Sequence, residues 1–259
     1  MEEILDYLEK TGRHKQLLSR WHERNDEDIR FEVLFAYWCD SRELYLKYEV
    51  GVNPNNDKTV DFNFTTQTGV NVNLELVRPD LNKGIRDKLT GDVLQGYILT
   101  SDHKDPDFRT CAQHIKLQWA LLEKVVKFPE CSEKAVNIVI ADCSNVHAGM
   151  FDRHDAGMAM YGYPGNPIWQ EYWENKKLIG IWEQGYNQRG SKEFCENVSA
   201  VVFVPELKID VLQNAMITLN PLQSRDHQQL VIDELKFYSS FVDIAVVSTS
   251  PFKVIQYID

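Results

Sequence analysis

The sequence predicts an α/β fold, a mixed central sheet flanked by helices, and three observations predict it. Residues 44–77 read as three strands on short connections, which favours an antiparallel meander over parallel crossovers. A long amphipathic helix (107–128) then leads into VNIVIA (136–141), a run apolar on both faces, as an interior strand after a crossover helix would be. Strand and helix patterns continue to the C-terminus. With 259 residues, 43% of them apolar, and no repeat, low-complexity tract or linker, one continuous domain with peripheral additions is the simplest organisation.

Each element has its own signal. In residues 2–23, Ile4, Leu5 and Leu8, then Leu17, Leu18 and Trp21, recur at helical spacing around a break at Gly12, which gives a helical N-terminal arm over 1–27. Asp26 or Asp28 caps a second helical stretch in which Ile29, Val33 and Tyr37 form a stripe widened by Leu34 and Trp38, with Glu32 near its start. Residues 44–50 alternate as a strand, 51–58 hold Pro54, Asn55, Asn56 and Asp57 and read as a turn, and 59–64 resume as a strand. Gly69 separates this from VNVNLELV (70–77). There Val70, Val72, Leu74 and Leu76 share one face, Asn71, Asn73, Glu75 and Val77 the other, and Pro79 ends the run.

Residues 78–104 are polar and basic, with an accessory strand at 96–100. In the following helix Phe108, Cys111, Ala112, Ile115, Trp119, Leu122 and Val126 form the expected buried stripe, leaving Arg109, Gln113 and Lys116 on another face, and Pro129 stops it. These elements set a core over 28–144. The extension, 145–259, is expected to build on the same domain: a polar loop after Cys143, a short aromatic helix at 168–177, strands at 198–204 and 215–219, a helix at 226–238 and a β-branched tail at 242–247.

Composition excludes several classes. Twenty-eight basic against 39 acidic side chains give a net charge of −11, which opposes adsorption to nucleic acid or anionic membrane unless a local basic patch or carboxylate-bound metal ions offset it. No apolar run is long enough to span a bilayer and the N-terminus lacks a signal-peptide pattern, so a cytoplasmic protein is expected. Five scattered cysteines without a CxxC pair argue against a disulfide framework or a cysteine zinc site.

Two acids stand out. Asp61 on the second strand and Glu75 on the third, if these strands are hairpin partners, bring two carboxylates to one edge of the sheet. Such a pair repels unless a cation intervenes, which is the electrostatic reason paired carboxylates build Mg²⁺ or Mn²⁺ sites. Glu32 on the preceding helix is a candidate third oxygen ligand.

These residues resemble the PD-(D/E)XK nuclease superfamily, the restriction-endonuclease-like fold. Phe31-Glu32-Val33 stands on the first core helix, Val60-Asp61-Phe62 on a strand, Leu74-Glu75-Leu76-Val77 on the next, and a helix and strand follow over 108–142. The resemblance covers roughly 28–144 and implies a divalent-metal-dependent hydrolase of nucleic-acid phosphodiesters. Asp61 and Glu75 would be metal ligands and catalytic groups, with Glu32 binding directly or through water, and water activated at the ion as the nucleophile. The position of the motif's lysine is Val77, which cannot orient water or donate to an oxyanion. Lys116, with Gln113 one turn earlier, is the preferred substitute; Arg78 is adjacent but on the opposite face. Arg78, Lys83, Arg86, Lys88, Arg109 and Gln113 are the candidate nucleic-acid contacts.

Two further clusters have plainer readings. His147, Asp152, His154 and Asp155 match no compact metal site with a statable mechanism and read as a polar loop. The aromatic segment 161–186, with Tyr161, Tyr163, Trp169, Tyr172, Trp173, Trp182 and Tyr186, reads as a satellite core or a protein interface before it reads as a base-stacking surface. The alternative to a nuclease is a catalytically inactive member of the same fold acting as a protein-interaction or nucleic-acid-binding module.

Overall fold

Local chemistry sets the first elements of the computed structural model, which describes residues 1–79, 110–146, 151–162, 180–183, 186, 188–212, 214–237, 245–247 and 256–257. Helix α1 (Glu2–Thr11) ends on Gly12 in the left-handed conformation, and α2 (Lys15–Arg24) ends on a left-handed Asn25. Asp26 caps α3 (Glu27–Asp40) by accepting from the Ile29 N–H, an arrangement worth about 1 kcal/mol. Three strands follow: β1 (Lys47–Gly51), β2 (Thr59–Thr65) and β3 (Asn71–Val77). Helix α4 (Thr110–Lys124) tightens into a 3₁₀ turn (Val125–Lys127) before β4 (Ala135–Asp142). Then come α5 (Arg153–Tyr161), α6 (Ser191–Asn197), β5 (Ala200–Val204), β6 (Met216–Leu219), α7 (Arg225–Phe237), β7 (Ala245–Val247) and β8 (Gln256–Tyr257).

The strands form one mixed sheet whose spatial order is the chain order, β1 to β8. β1, β2 and β3 are the antiparallel meander; β4 lies parallel to β3 and β5 parallel to β4. β6 turns antiparallel, and the short β7 and β8 extend the far edge. The alternation of β3 sends Val72, Leu74 and Leu76 into a core with α1, α2 and α3, where Phe31, Phe35 and Trp38 are buried. Val77 faces the opposite core with Leu117, Leu121, Val125, Phe128, Val139 and Ala141. Helices thus cover both faces, the arrangement that lets β4 and β5 be apolar throughout.

The buried face of α4 differs from the expected stripe. Trp119 and Val126 are exposed, whereas His114, Leu117, Gln118, Leu121 and Val125 are buried together with the expected Leu122. The helix is rolled because two polar side chains find partners inside. His114 Nε2 lies 3.0 Å from Asp155 Oδ1, and Gln118 donates to the Ala159 carbonyl at 2.8 Å. Phe108 and Arg109 lie outside the described residues, as do the side chains of Cys111, Ala112, Gln113 and Ile115.

The stretch expected as a polar loop after Cys143 contains α5. Asp152 accepts from the N–H groups of His154 and Asp155, and Asp155 returns a bond to the Asp152 N–H, a complete capping box. Asp152 and Asp155, read in the sequence as loop residues, are therefore the helix start signal; His147 is outside the described residues. Of the aromatic segment, Trp182 is buried, 5.5 Å from the ring of Tyr161 and 6.3 Å from that of Phe194. That is a satellite core. The expected strand at 96–100 and the aromatic helix at 168–177 lie outside the described residues. Among the described residues no helix is long and apolar enough to cross a membrane.

Candidate functional site

Asp61 and Glu75 meet where the meander opens. The pairing of β2 with β3 runs from Thr65 opposite Asn71 to Phe62 opposite Leu74, and the same register sets Asp61 opposite Glu75. There side chains take over from the backbone ladder: Glu75 Oε1 accepts from the Asp61 N–H at 3.0 Å, and Asp61 Oδ2 accepts from the Leu76 N–H at 2.7 Å. One oxygen of each carboxylate is thereby fixed on a backbone donor. The other two, Asp61 Oδ1 and Glu75 Oε2, face a common cation.

That cation is the ammonium of Lys127, 2.9 Å from Glu75 Oε2 and 3.4 Å from Asp61 Oδ1, with Lys124 Nζ 3.6 Å from Glu75 Oε2. Both lysines come from the end of α4 and its 3₁₀ turn. The β1–β2 loop holds this turn: Asn56 donates to the Val126 carbonyl at 2.8 Å and Asn53 to the Phe128 carbonyl at 2.7 Å. The asparagines that mark this loop as a turn in the sequence thus also anchor the lysine that reaches the acids.

Burial dominates the electrostatics. The Glu75 side chain is fully buried. Burial, reinforced by the charge of Asp61, pushes its carboxyl up to about 8 even though Lys127 and Lys124 pull it down. For Lys127 burial works against the charged form, but the charges of Asp61 and Glu75 outweigh it and raise its pKa. Two acids so close therefore hold a proton or a cation between them.

Glu32 does not join the couple. It comes from α3, on the other face of the sheet, and its carboxylate accepts from the Tyr48 hydroxyl and lies 3.4 Å from Arg20. Burial raises its pKa, the Asp61 charge adds to this, and the Tyr48 bond and the Arg20 charge oppose it. Arg20 also pairs with Glu49 at 2.8 Å and donates to Tyr48. Glu49 sits in β1 with a left-handed backbone, φ 50°, which is unusual for a residue other than glycine. Among the described residues no group of three or more His, Cys, Asp or Glu side chains is placed to share a metal ion.

Of the remaining expected residues, Lys116 and Arg78 are described and neither pairs with the couple. Lys116 is half-buried on α4, about three helical turns before Lys127. Arg78 lies 3.2 Å from Asp142 and 3.5 Å from Glu27. Lys83, Arg86, Lys88 and Arg109 are outside the described residues, and Gln113 stands on α4. Val77, at the position of the motif's lysine, is buried against α4. Sequence reasoning missed Lys124 and Lys127. Their signal was present: Lys116 and Lys127 are 11 positions apart, so they share one side of a helix with about 3.6 residues per turn.

The couple fits a hard divalent cation. Two carboxylate oxygens converge on one point and backbone bonds fix both carboxylates, while Mg²⁺ takes only one or two carboxylates and completes its shell with water and phosphate. Asp61 and Glu75 would hold such an ion; Glu32, held by Tyr48 and Arg20, would not bind it directly. No protein-family model, curated protein or solved structure matches the chain.

Proposed function

We propose that the protein is a divalent-metal-dependent nuclease of the PD-(D/E)XK type, hydrolysing phosphodiester bonds of nucleic acid with Mg²⁺ or Mn²⁺. The observation that carries this reading is the convergence of Asp61 Oδ1, Glu75 Oε2 and Lys127 Nζ on one point. The order α3, antiparallel β1–β3, α4, then β4 parallel to β3 supports a restriction-endonuclease-like core. A bound ion would supply Lewis acidity and acidify a water molecule. Asp61 and Glu75 hold their carboxylates aimed by the Leu76 and Asp61 N–H groups. Lys127 takes the part of the motif's missing lysine, donating to developing charge on a phosphate oxygen. Lys116, Arg78, Lys83, Arg86, Lys88, Arg109 and Gln113 remain candidate backbone contacts, with Arg78 already engaged by Asp142 and Glu27. A cytoplasmic setting accords with the free thiols of Cys39, Cys131, Cys143 and Cys195.

One observation favours the second reading, a catalytically inactive module of the same fold: Lys127 balances the carboxylate couple without any ion. Labelled single- and double-stranded DNA and RNA, incubated with the protein in Mg²⁺ or Mn²⁺, separate the two. The nuclease reading expects cleavage that EDTA and Glu75→Ala both abolish and that Lys127→Ala lowers by about 100-fold or more. Intact substrate in every wild-type reaction would select the inactive module.

A further inference from the structure

The lysine that completes the site also stands in the ion's place. Lys127 Nζ contacts the same two oxygens, Asp61 Oδ1 and Glu75 Oε2, that are left over once the backbone N–H groups have taken Asp61 Oδ2 and Glu75 Oε1. An ammonium and a divalent ion cannot both occupy that point. The 3₁₀ turn that carries Lys127 is fastened by Asn53 and Asn56, so the lysine is delivered by a held backbone. Only its flexible stem is free to swing, and its side chain is 24% exposed, which leaves a way out on the solvent side.

We infer that Lys127 is a built-in competitor for the divalent cation: metal entry requires its ammonium to leave the carboxylate couple, and that departure turns the site toward phosphate. Charge counting shows why. Without a metal ion, Asp61, Glu75, Lys127 and Lys124 sum to zero when both carboxylates are ionised and to plus one when the couple holds a proton. Adding a divalent ion between the carboxylates, with both lysines retained nearby, leaves the centre at plus two. The metal-free centre therefore carries at most one positive charge, and the loaded centre carries two and attracts a phosphodiester more strongly, in a protein whose net charge is −11. The displaced ammonium is then the nearest donor for a phosphate oxygen. The same residue weakens ion binding and strengthens substrate binding.

This inference rests on the metal reading of the couple but not on catalysis, and the test separates them. MnCl₂ is titrated calorimetrically into the full-length wild type, Lys127→Met and Lys127→Arg, and melting temperatures are read with and without Mn²⁺. Lys127→Met is expected to bind Mn²⁺ at least tenfold more tightly than wild type and to gain the larger melting shift, whereas Lys127→Arg, which keeps a cation at the couple, stays within a fewfold of wild type. If Lys127→Met folds only when Mn²⁺ is present, the competition is upheld. If it does not fold at all, Lys127→Gln, which keeps a donor without the charge, carries the same comparison. Equal or weaker Mn²⁺ binding on loss of the charge, or no binding by any form, overturns the inference. Tighter binding by the variant alongside a wild type that cleaves nothing would uphold the competitor and refute the nuclease.

Discussion

Replacing Glu75 by glutamine removes an ionisable group held far above its ordinary protonation range while keeping the oxygen that accepts the Asp61 N–H. In the folded protein the carboxyl titrates at about 8 because of burial and the Asp61 charge; in the unfolded chain it titrates near about 4.3. Between these values the folded state holds more protons than the unfolded one, so the group's contribution is complete below the unfolded pKa and is lost as pH rises through the folded pKa. Each pH unit of that window corresponds to about 1.36 kcal/mol, so stability is expected to fall by about 2–5 kcal/mol from this group alone. The variant has no such slope, and near pH 5 its amide stands in for a carboxyl that is already neutral in the folded wild type. The two forms are therefore expected to be close in stability near pH 5 and the variant to be the more stable one near pH 9. Urea denaturation of both proteins in EDTA across that range measures the difference. A difference that stays constant with pH would refute the electrostatic account of the couple.

Other expectations follow from the same structure. Asp40, fully buried between Arg13 at 2.8 Å and His14 at 3.2 Å, has its pKa lowered because these contacts outweigh burial. Asp40→Asn is expected to cost about 2–3 kcal/mol at pH 7 by urea denaturation, a loss that shrinks as pH falls through the folded pKa and the wild type surrenders the same stabilisation. Asn137 accepts from Asn73 at 2.7 Å and donates to the carbonyls of Pro129 at 2.8 Å and Asn197 at 2.7 Å. Asn137→Ala strands all three and is expected to cost about 3 kcal/mol in a thermal melt. The roll of α4 is tested by a pair of substitutions: Leu121→Ala should cost about 2–5 kcal/mol and Trp119→Ala less than about 1. The reverse order would restore the stripe expected from the sequence.

What was legible followed from strict periods. The two-residue alternation of VNVNLELV places Glu75 and Val77 on one face whatever the neighbours do, and the meander makes Asp61 its cross-strand partner. The continuous apolar run of β4 likewise fixes an interior strand. The roll of α4 was hidden because a stripe of apolar letters treats His114 and Gln118 as outward residues, whereas contacts with Asp155 and the Ala159 carbonyl, far along the chain, help make their burial tolerable. For the lysine, helical spacing selects a side of α4 but not the turn that reaches the acids. That choice depends on where β3 stops pairing and on the asparagines that anchor Val126 and Phe128. Asp152 and Asp155 read as part of a polar loop, although a pair of acids three apart before a helical stretch is a capping signal in its own right.

The central claim is that Asp61 and Glu75 share a divalent ion. A crystal soaked in Mn²⁺, with data collected at the manganese absorption edge, tests it most directly. The account predicts an anomalous peak in bonding contact with Asp61 Oδ1 and Glu75 Oε2, with Lys127 Nζ moved off that point. A couple that still grips Lys127 in saturating Mn²⁺, with no peak between the carboxylates, would contradict it.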